Sequence, residues 1–559
     1  MKRIIAILVL STFVCCKNSH SIIEDNTTND IEINKISKPF YWEGANLYFL
    51  LTDRFNNGDT SNDINYNRTD KTGVLRGFEG GDLKGITQKI EEGYFTDLGV
   101  NAIWMSPIFE QIHGSTDEGT GISYAFHGYW TKDWTSLDAN FGTKEDLRKL
   151  IKVAHDNGIR IVLDAIINHT GPVTAEDSVW PNEWVRTEPE CTHDNYENTI
   201  TCTLVENLPD IKTESNAPVD VPEQLVKKWK EEGRYEEEMA ELNAFFKRTG
   251  YPRAPRFYII KWLTDYIAEY GVDGYRVDTV KHTEEYVWQE FKKECDYTFA
   301  EWKKNNANEV LDNTSFYLVG EVYNYGISTG KIYDYGDKKV DYFDNAFSQL
   351  INFELKWNAQ QQSKEEMFKK YSNLLNTDLK GYGTLNYMTS HDDGRPFDAD
   401  RSKPNETATK LLLSPGAAQI YYGDETARPL VIEGAKGDAT LRSFMNWEDV
   451  QNNKETQRIL LHWQKLGKFR NNHPSVGAGK HQMISDKPYV FKRTFSKESY
   501  QDQVVIGLDL EKGEKELIVS SVFKNGDILR EAYSNQVVEV KEGKIKINSN
   551  FDIVLLEKK

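Results

Sequence analysis

Positive charge is scarce in this chain: 68 Lys and Arg stand against 87 Asp and Glu, a formal net charge of −19 over 559 residues. That balance excludes a nucleic-acid partner, because phosphate binding needs clustered Lys and Arg. It leaves a neutral ligand, or a cation held by carboxylates. Long apolar runs are also missing. The run Ile4–Leu10 is too short to span a bilayer, and no transmembrane helix is read elsewhere. There is no internal repeat. Only five cysteines occur, and no Cys/His group has the sequence spacing of a zinc site.

The start of the chain reads as a targeting segment. Lys2 and Arg3 precede Ile4–Leu10, and Cys15–Cys16 follow, so residues 1–16 are expected to be a signal peptide. The segment resembles a bacterial lipoprotein signal, which implies lipidation at Cys16; residues 17–40 are polar and are expected to be a flexible linker. The expected location is the periplasm or the outer membrane or cell surface, otherwise the medium. Export to an oxidising compartment favours a disulfide between Cys191 and Cys202, whereas Cys295 is expected to be a buried free thiol.

Present in quantity are short apolar runs, each ending on a polar stretch. Asn46–Leu51, Ala102–Met105, Arg160–Ile167, Gly274–Asp278, Phe316–Glu321, a weaker one at Val340–Phe343, Thr384–Thr389 and Ala418–Tyr422 read as buried strands. Helical patterns such as Lys144–Asp156 and Tyr258–Tyr270 separate most of them. Strand–helix alternation predicts a parallel sheet, and eight strands is the count of a closed barrel. The expected fold class is α/β, a (β/α)8 TIM barrel over residues 41–478. Residues 170–251 are far too many for an ordinary βα loop. They are expected to form a subdomain inserted after the third strand, with a charged helical run at Glu223–Lys247. From 479 to 559, short alternating runs between Gly, Asn, Asp and Lys turns predict a C-terminal antiparallel β-sandwich.

Acidic residues close four of the runs: Asp164, Asp278, Glu321 and Asp392. Barrels of this kind carry their chemistry at the carboxyl ends of the strands. Carboxylates gathered there suit acid–base and nucleophilic work on a glycosidic bond. Arg276 and Asp278, two residues apart on a strand, point to the same face. The guanidinium is expected to lower the Asp278 pKa, although the pair would serve equally as a structural ion pair. Glu321 ends a dry strand, and burial should raise its pKa as a general acid requires.

Together these segments resemble the α-amylase family of glycoside hydrolases, family 13, from about Tyr41 to Gly479. DAIINH, GYRVDTVKH, GEVYN and TSHDD are similar to its four signatures in order, and LPDI at Leu208–Ile211 is similar to the short signature of its inserted domain. The resemblance implies retaining hydrolysis of α-1,4-glucosidic bonds in starch, glycogen or maltooligosaccharides. It implies Asp278 as nucleophile, Glu321 as general acid/base and Asp392 as the residue that fixes the distorted sugar. Arg276 would orient the nucleophile, and His391 and His169 would lie beside the reacting sugar. YAFHGYW implies Tyr129 as a stacking platform flanked by His127 and Trp130; Lys281 and His282 would contact the leaving side. One departure is Ser390, where the family usually places Asn before His-Asp.

Two calcium sites are also implied. TDRFNNGDTSND and FEGGDLKG are rich in the hard oxygen donors Ca2+ prefers. There the resemblance implies Asn57, Asp59, Asn62, Asp63 and Asp82 as ligands, with the Gly80 carbonyl. The second ion, between barrel and insertion, would take Asn168, Asp210 and the His282 carbonyl. The expected cofactor is therefore Ca2+ and the expected partner an α-glucan, with membrane attachment only through an N-terminal lipid and a monomeric chain. Cyclomaltodextrinases, neopullulanases and α-glucan transglycosylases use the same core residues. A non-catalytic glucan-binding protein is the alternative of another class, but such relatives lose catalytic carboxylates that this chain keeps. No Trp follows Trp463, so a stabilising rather than starch-binding role is expected for the C-terminal sandwich.

Overall fold

A computed structural model describes residues 38–117 and 119–559; the expected signal segment, with the expected lipidation at Cys16, and residues 17–37 of the expected linker lie outside the described residues. Residues 40–559 form one compact unit. Its centre is a closed barrel of eight parallel strands: β1 Asn46–Leu50, β2 Ala102–Met105, β3 Arg160–Ala165, β4 Gly274–Val277, β5 Tyr317–Gly320, β6 Gln349–Asn352, β7 Gly383–Tyr387 and β8 Ala417–Tyr421. Each pairs in parallel with its successor, and β8 closes on β1 through Asn46↔Ala418 and Phe49↔Tyr421. Every residue of all eight is buried. Covered by helices outside and side chains inside, such strands can be apolar on both faces, which is why they read as unbroken runs.

The sixth strand is not where its sequence signal lay. Lys339–Asp341 pairs antiparallel with Ile332–Asp334 in a surface hairpin, and Tyr342–Asn345 is a helical turn. The true β6 reads Gln-Leu-Ile-Asn, and its polar ends hide it. Gln349 is satisfied inside the barrel by Tyr317 Oη and the Trp42 carbonyl, and Asn352 by Asn386 and Tyr371.

Local chemistry sets the helix boundaries. Helix α1, Lys144–Asp156, starts at a reciprocal capping box in which Thr143 and Asp146 satisfy each other's backbone. In the insertion, the expected single charged helix is two: α2, Glu223–Glu231, and α3, Tyr235–Thr249. Gly233, at φ 74°, takes the left-handed turn between them. Helix α4, Pro255–Tyr270, begins with proline at N1 and stops at Gly271, whose φ of 70° and contact with the Trp302 indole exclude a side chain.

The insertion is bonded to the barrel rather than loosely attached. Lys228 of α2 reaches Asp133 at 2.6 Å and also pairs with Glu110, while the buried Trp229 meets Trp262 of α4 edge to face. Within it Val185–Arg186 pairs with Asp210–Ile211, and Cys191 is disulfide-bonded to Cys202. The C-terminal region is a six-stranded antiparallel sheet faced by the two-stranded sheet Gly513–Ile518/Lys544–Ser549. Val490, Val505, Leu517, Leu529, Ile545 and Leu556 fill the space between them. Cys295 is a buried free thiol, and no described helix is long and apolar enough to cross a membrane.

Candidate active site

The site is assembled around one buried cation. Arg276 points inward from β4 and is 1% exposed. Its Nη1 donates to Asp164 Oδ1 of β3 at 3.0 Å and to Asp278 Oδ1 at 2.6 Å, while Nη2 lies 2.9 Å from Glu321 Oε2. Asp278 is the first residue beyond β4 and Glu321 the first beyond β5, so strand register alone places both at the carboxyl-end rim. A single guanidinium thus spans the carboxyl groups expected to act as nucleophile and acid. The next residue, Thr279, is left-handed (φ 48°, ψ 38°), a costly conformation for a β-branched side chain. It turns its N–H onto Glu321 Oε2 at 3.1 Å.

The charge balance sets the protonation of this group. Three carboxyls share one guanidinium, and all are pushed up from their ordinary range. Burial raises Asp164 to about 7 despite Arg276. Asp278 is raised by burial, with Arg276 pulling it back only in part. The arginine does lower it, as expected, but burial outweighs the arginine and the net shift is upward. Glu321 is raised by burial first, with Asp278 and Asp392 adding to the effect against Arg276. Asp392 differs. Its side chain is 45% exposed toward the cleft. Partial desolvation opposes its charge, but His391, Arg442 and Arg276 outweigh that and hold it well below the usual range. His391 Nε2 is 2.8 Å from Asp392 Oδ2, and Arg442 donates to Oδ1 at 2.6 Å.

The aromatic wall follows from the same contacts. Tyr129, half-buried, donates from Oη to Asp164 at 2.9 Å and stacks on His391 with centroids 5.2 Å apart. His127 accepts the Tyr129 N–H, and His169 Nε2 meets the Tyr129 carbonyl, so both buried imidazoles brace the tyrosine's backbone. Trp130 is not in the wall. It is 4% exposed and packs with Ile112, Ala125 and Leu208, joining the barrel to the insertion. Lys281 holds its ammonium 5.2 Å from the Tyr323 ring, but the His282 ring is buried and bonded to the Thr199 carbonyl rather than turned to the cleft. A groove of about 900 Å3 lined by Glu43, Gly383, Lys480 and Asp502 lies at the opposite end of the barrel.

Two residues of this site carried little or no signal. Asp164 was visible as an acid ending a strand, but not as the group that ties Arg276, Tyr129 and Trp104 Nε1 together. Arg442 ends the 3-10 helix Gly437–Arg442 in the long connection after β8, and only the fold brings it to Asp392 and the His391 carbonyl.

The expected calcium donors gather in two clusters. At the first cluster, Asn57 Nδ2 donates to Asp63 at 2.8 Å and Asn62 Nδ2 to Asp82 at 3.2 Å, while Asn62 Oδ1 is buried without a partner. A Cβ on Gly80 would meet Asn57 and Asp63 at 2.5 and 2.7 Å, so its backbone closes the same knot. Turning the two amides would present only oxygens, which fits Ca2+. Asp59 turns its carboxylate to the Ser61 turn and to Lys84 at 2.5 Å, but its N–H donates to Asp82 Oδ2 at 2.8 Å and to Asn57 Oδ1 at 3.1 Å, so it joins the knot through its backbone rather than its side chain. At the second cluster, Asn168 Nδ2 donates to Asp210 at 2.8 Å and to the His282 carbonyl at 3.0 Å. Asp210 Oδ2 has no hydrogen bond, and burial pushes this carboxyl far up even though Arg186 is beside it. This donor set also fits a cation.

The chain is similar to known proteins over most of its length. Residues 49–471 match the alpha-amylase catalytic domain. The chain is 36% identical over 505 residues to the periplasmic alpha-amylase of Escherichia coli K12, covering 79% of this chain and 69% of that protein. It is 27% identical over 463 residues to a cyclomaltodextrin glucanotransferase of Thermoanaerobacterium thermosulfurigenes, spanning 80% of this chain and 58% of that one. Among solved structures, the alpha-amylase of Geobacillus thermoleovorans superposes with a TM-score of 0.63 at 23% identity, covering 93% of this chain and all of that one. The chain is a glycoside hydrolase of the alpha-amylase family.

Proposed function

We propose that this enzyme hydrolyses α-1,4-glucosidic bonds of starch-like glucans with retention of configuration. The observation that carries the reading is the Arg276 guanidinium held between Asp278 and Glu321 on adjoining strands, with Asp392 open to the cleft beside them. Asp278, with the shortest contact to Arg276, attacks the anomeric carbon. Glu321, whose pKa burial and its acidic neighbours push upward, gives its proton to the departing oxygen. Once the leaving sugar has gone, the same Glu321 takes a proton from water, which displaces Asp278 and restores the α configuration. Asp392, ionised and exposed, accepts hydrogen bonds from sugar hydroxyls. Tyr129 offers its ring as the floor.

Calcium would be held by Asn57, Asn62, Asp63, Asp82 and the Gly80 carbonyl, and by Asn168, Asp210 and the His282 carbonyl. When bound it supplies fixed positive charge that pins the insertion against the barrel. The relative from Escherichia coli is periplasmic by name, which supports export of this chain to the same kind of compartment.

The test is product analysis on maltoheptaose, amylose, cyclodextrin and pullulan, with proton NMR of the first products. Expected are linear maltooligosaccharides appearing as the α anomer. First products in the β form overturn the retaining mechanism, and preferential opening of cyclodextrin assigns the site to ring substrates instead.

A further inference from the structure

A cluster of metal-ligating side chains lies outside the carboxylate site and touches the second calcium cluster only at His282, which enters here by its ring and there by its carbonyl. Cys191, His193 and His282 each bring a ligand atom within 4.8 Å of the other two. The first two belong to the loop before the short helix Glu197–Ile200, and His282 ends the turn after β4. Their separation in the chain explains why no sequence spacing betrays them.

The geometry is that of a site with one ligand withheld. Cys191 sulfur is bonded to Cys202, so the cluster now offers two imidazoles, which meet edge to face at 5.4 Å. His282 Nδ1 lies 2.9 Å from the Thr199 carbonyl. A carbonyl only accepts, so Nδ1 carries the proton and Nε2 keeps its lone pair; a backbone carbonyl on the far nitrogen is the usual partner of a metal-bound histidine. His193 is exposed, on a left-handed backbone (φ 58°) tied to the Asn198 carbonyl. Tetrahedral zinc spaces its nitrogen and sulfur ligands roughly 3.3–3.7 Å apart. Rotation of the exposed His193 and of a freed Cys191 supplies the remaining approach of about 1 Å.

We propose that the Cys191–Cys202 disulfide masks a site for Zn2+ or a similar transition metal, and that reduction by a dithiol opens it. Two electrons pass from the dithiol to the S–S bond; the dithiol closes into its own disulfide, and Cys191 and Cys202 become thiols. The Cys191 thiol releases its proton to solvent as the metal binds. Cys191 sulfur, His193 and His282 then fill three positions and water the fourth. Thiolate with imidazole selects Zn2+ or Co2+ over Ca2+. A metal there ties the insertion loop to the turn that carries Lys281, at the rim of the cleft.

The test titrates Co2+ into the full chain in calcium-containing buffer and follows the thiolate-to-cobalt charge-transfer band. Untreated wild type, which retains every other cysteine, sets the background and should show none. Cys202→Ser frees Cys191 without any reductant and should bind one Co2+ per chain, displaced by Zn2+ with loss of the band. Wild type after mild dithiol treatment should do the same, independently of how the variant folds. Cys202→Ser/His193→Ala should bind at least tenfold more weakly. Absence of the band from both Cys202→Ser and reduced wild type overturns the proposal. So does a band indifferent to His193→Ala.

Discussion

Buried arginines occupy both ends of this barrel and are neutralised in opposite ways. At the carboxyl ends, Arg276 faces three carboxyl groups. At the amino ends, Arg470 donates to the carbonyls of Leu412, Ser414 and Gly416, and Arg493 to those of Val476 and Leu413 and to His481 Nδ1. Burial pushes both of the latter down to about 9, Arg470 further disfavoured by Arg493, yet both remain charged at neutral pH. Carbonyl dipoles, with the single His481 imidazole, satisfy these guanidiniums without a carboxylate in direct contact, so the amino end only locks the C-terminal sheet onto the barrel. Carboxylates outnumber the cation at the other end and leave protons to be held and moved. The same residue type serves architecture in one place and chemistry in the other, and its partners decide which.

The contrast can be broken most severely at the carboxyl end. Asp278→Asn and Glu321→Gln should each reduce turnover of a chromogenic maltooligosaccharide by roughly 10⁴–10⁶-fold, with the melting temperature held or raised. A near wild-type rate in either would remove Arg276 from the chemistry. At the amino end the effect should appear in stability instead. Arg493→Met strips its acceptors of their donors and should cost about 3 kcal/mol or more in urea unfolding, leaving kcat nearly intact. Calcium adds a cation the chain does not supply. Excess chelator should lower the melting temperature, by an amount equivalent to about 2.7 kcal/mol if the ion had stood at a hundred times its Kd. An unchanged melt would count against both donor clusters.

The smallest expected effect concerns His473, whose ring is held between Asp502 at 2.8 Å and Glu557 at 2.5 Å beside the C-terminal sheet. Desolvation lowers its pKa, but the two carboxylates outweigh it and the net shift is upward. Asp502 and Glu557 are shifted down, against their own desolvation, chiefly by bonds to His473, with Ser475 also donating to Asp502 and Arg530 to Glu557. The histidine's contribution is therefore complete below its unfolded value of about 6.5 and is lost as pH rises through the higher folded value. The carboxylates' share is lost only as pH falls through their depressed values. Relative to His473→Gln, wild type should lose stability between pH 6 and pH 9. Parallel pH curves would show that the ring is not charged in the fold.

What could be read from the chain follows the same division. Seven of the eight strands announce themselves because both faces are dry, whereas β6 keeps Gln349 and Asn352 for hydrogen bonds inside the barrel and loses its signal. Val340–Phe343 has strand-like residues but sits in a surface hairpin and a helical turn. Asp278 and Glu321 are legible because each lies one step beyond its own strand, whereas Asp164 closes β3 from inside it and Asp392 follows β7 in the loop. Arg442 is not legible, because its place beside Asp392 depends on the path of the long connection after β8 that leads into the 3-10 helix Gly437–Arg442. Trp130 shows the limit of motif transfer, since its neighbours turn it to packing.

Sharing one guanidinium among Asp164, Asp278 and Glu321 has a kinetic consequence. Groups coupled this closely release protons as a set. The acidic and alkaline limbs of the pH–rate curve should therefore belong to the trio, and Asp164→Asn, though one shell removed from the sugar, should displace both limbs together.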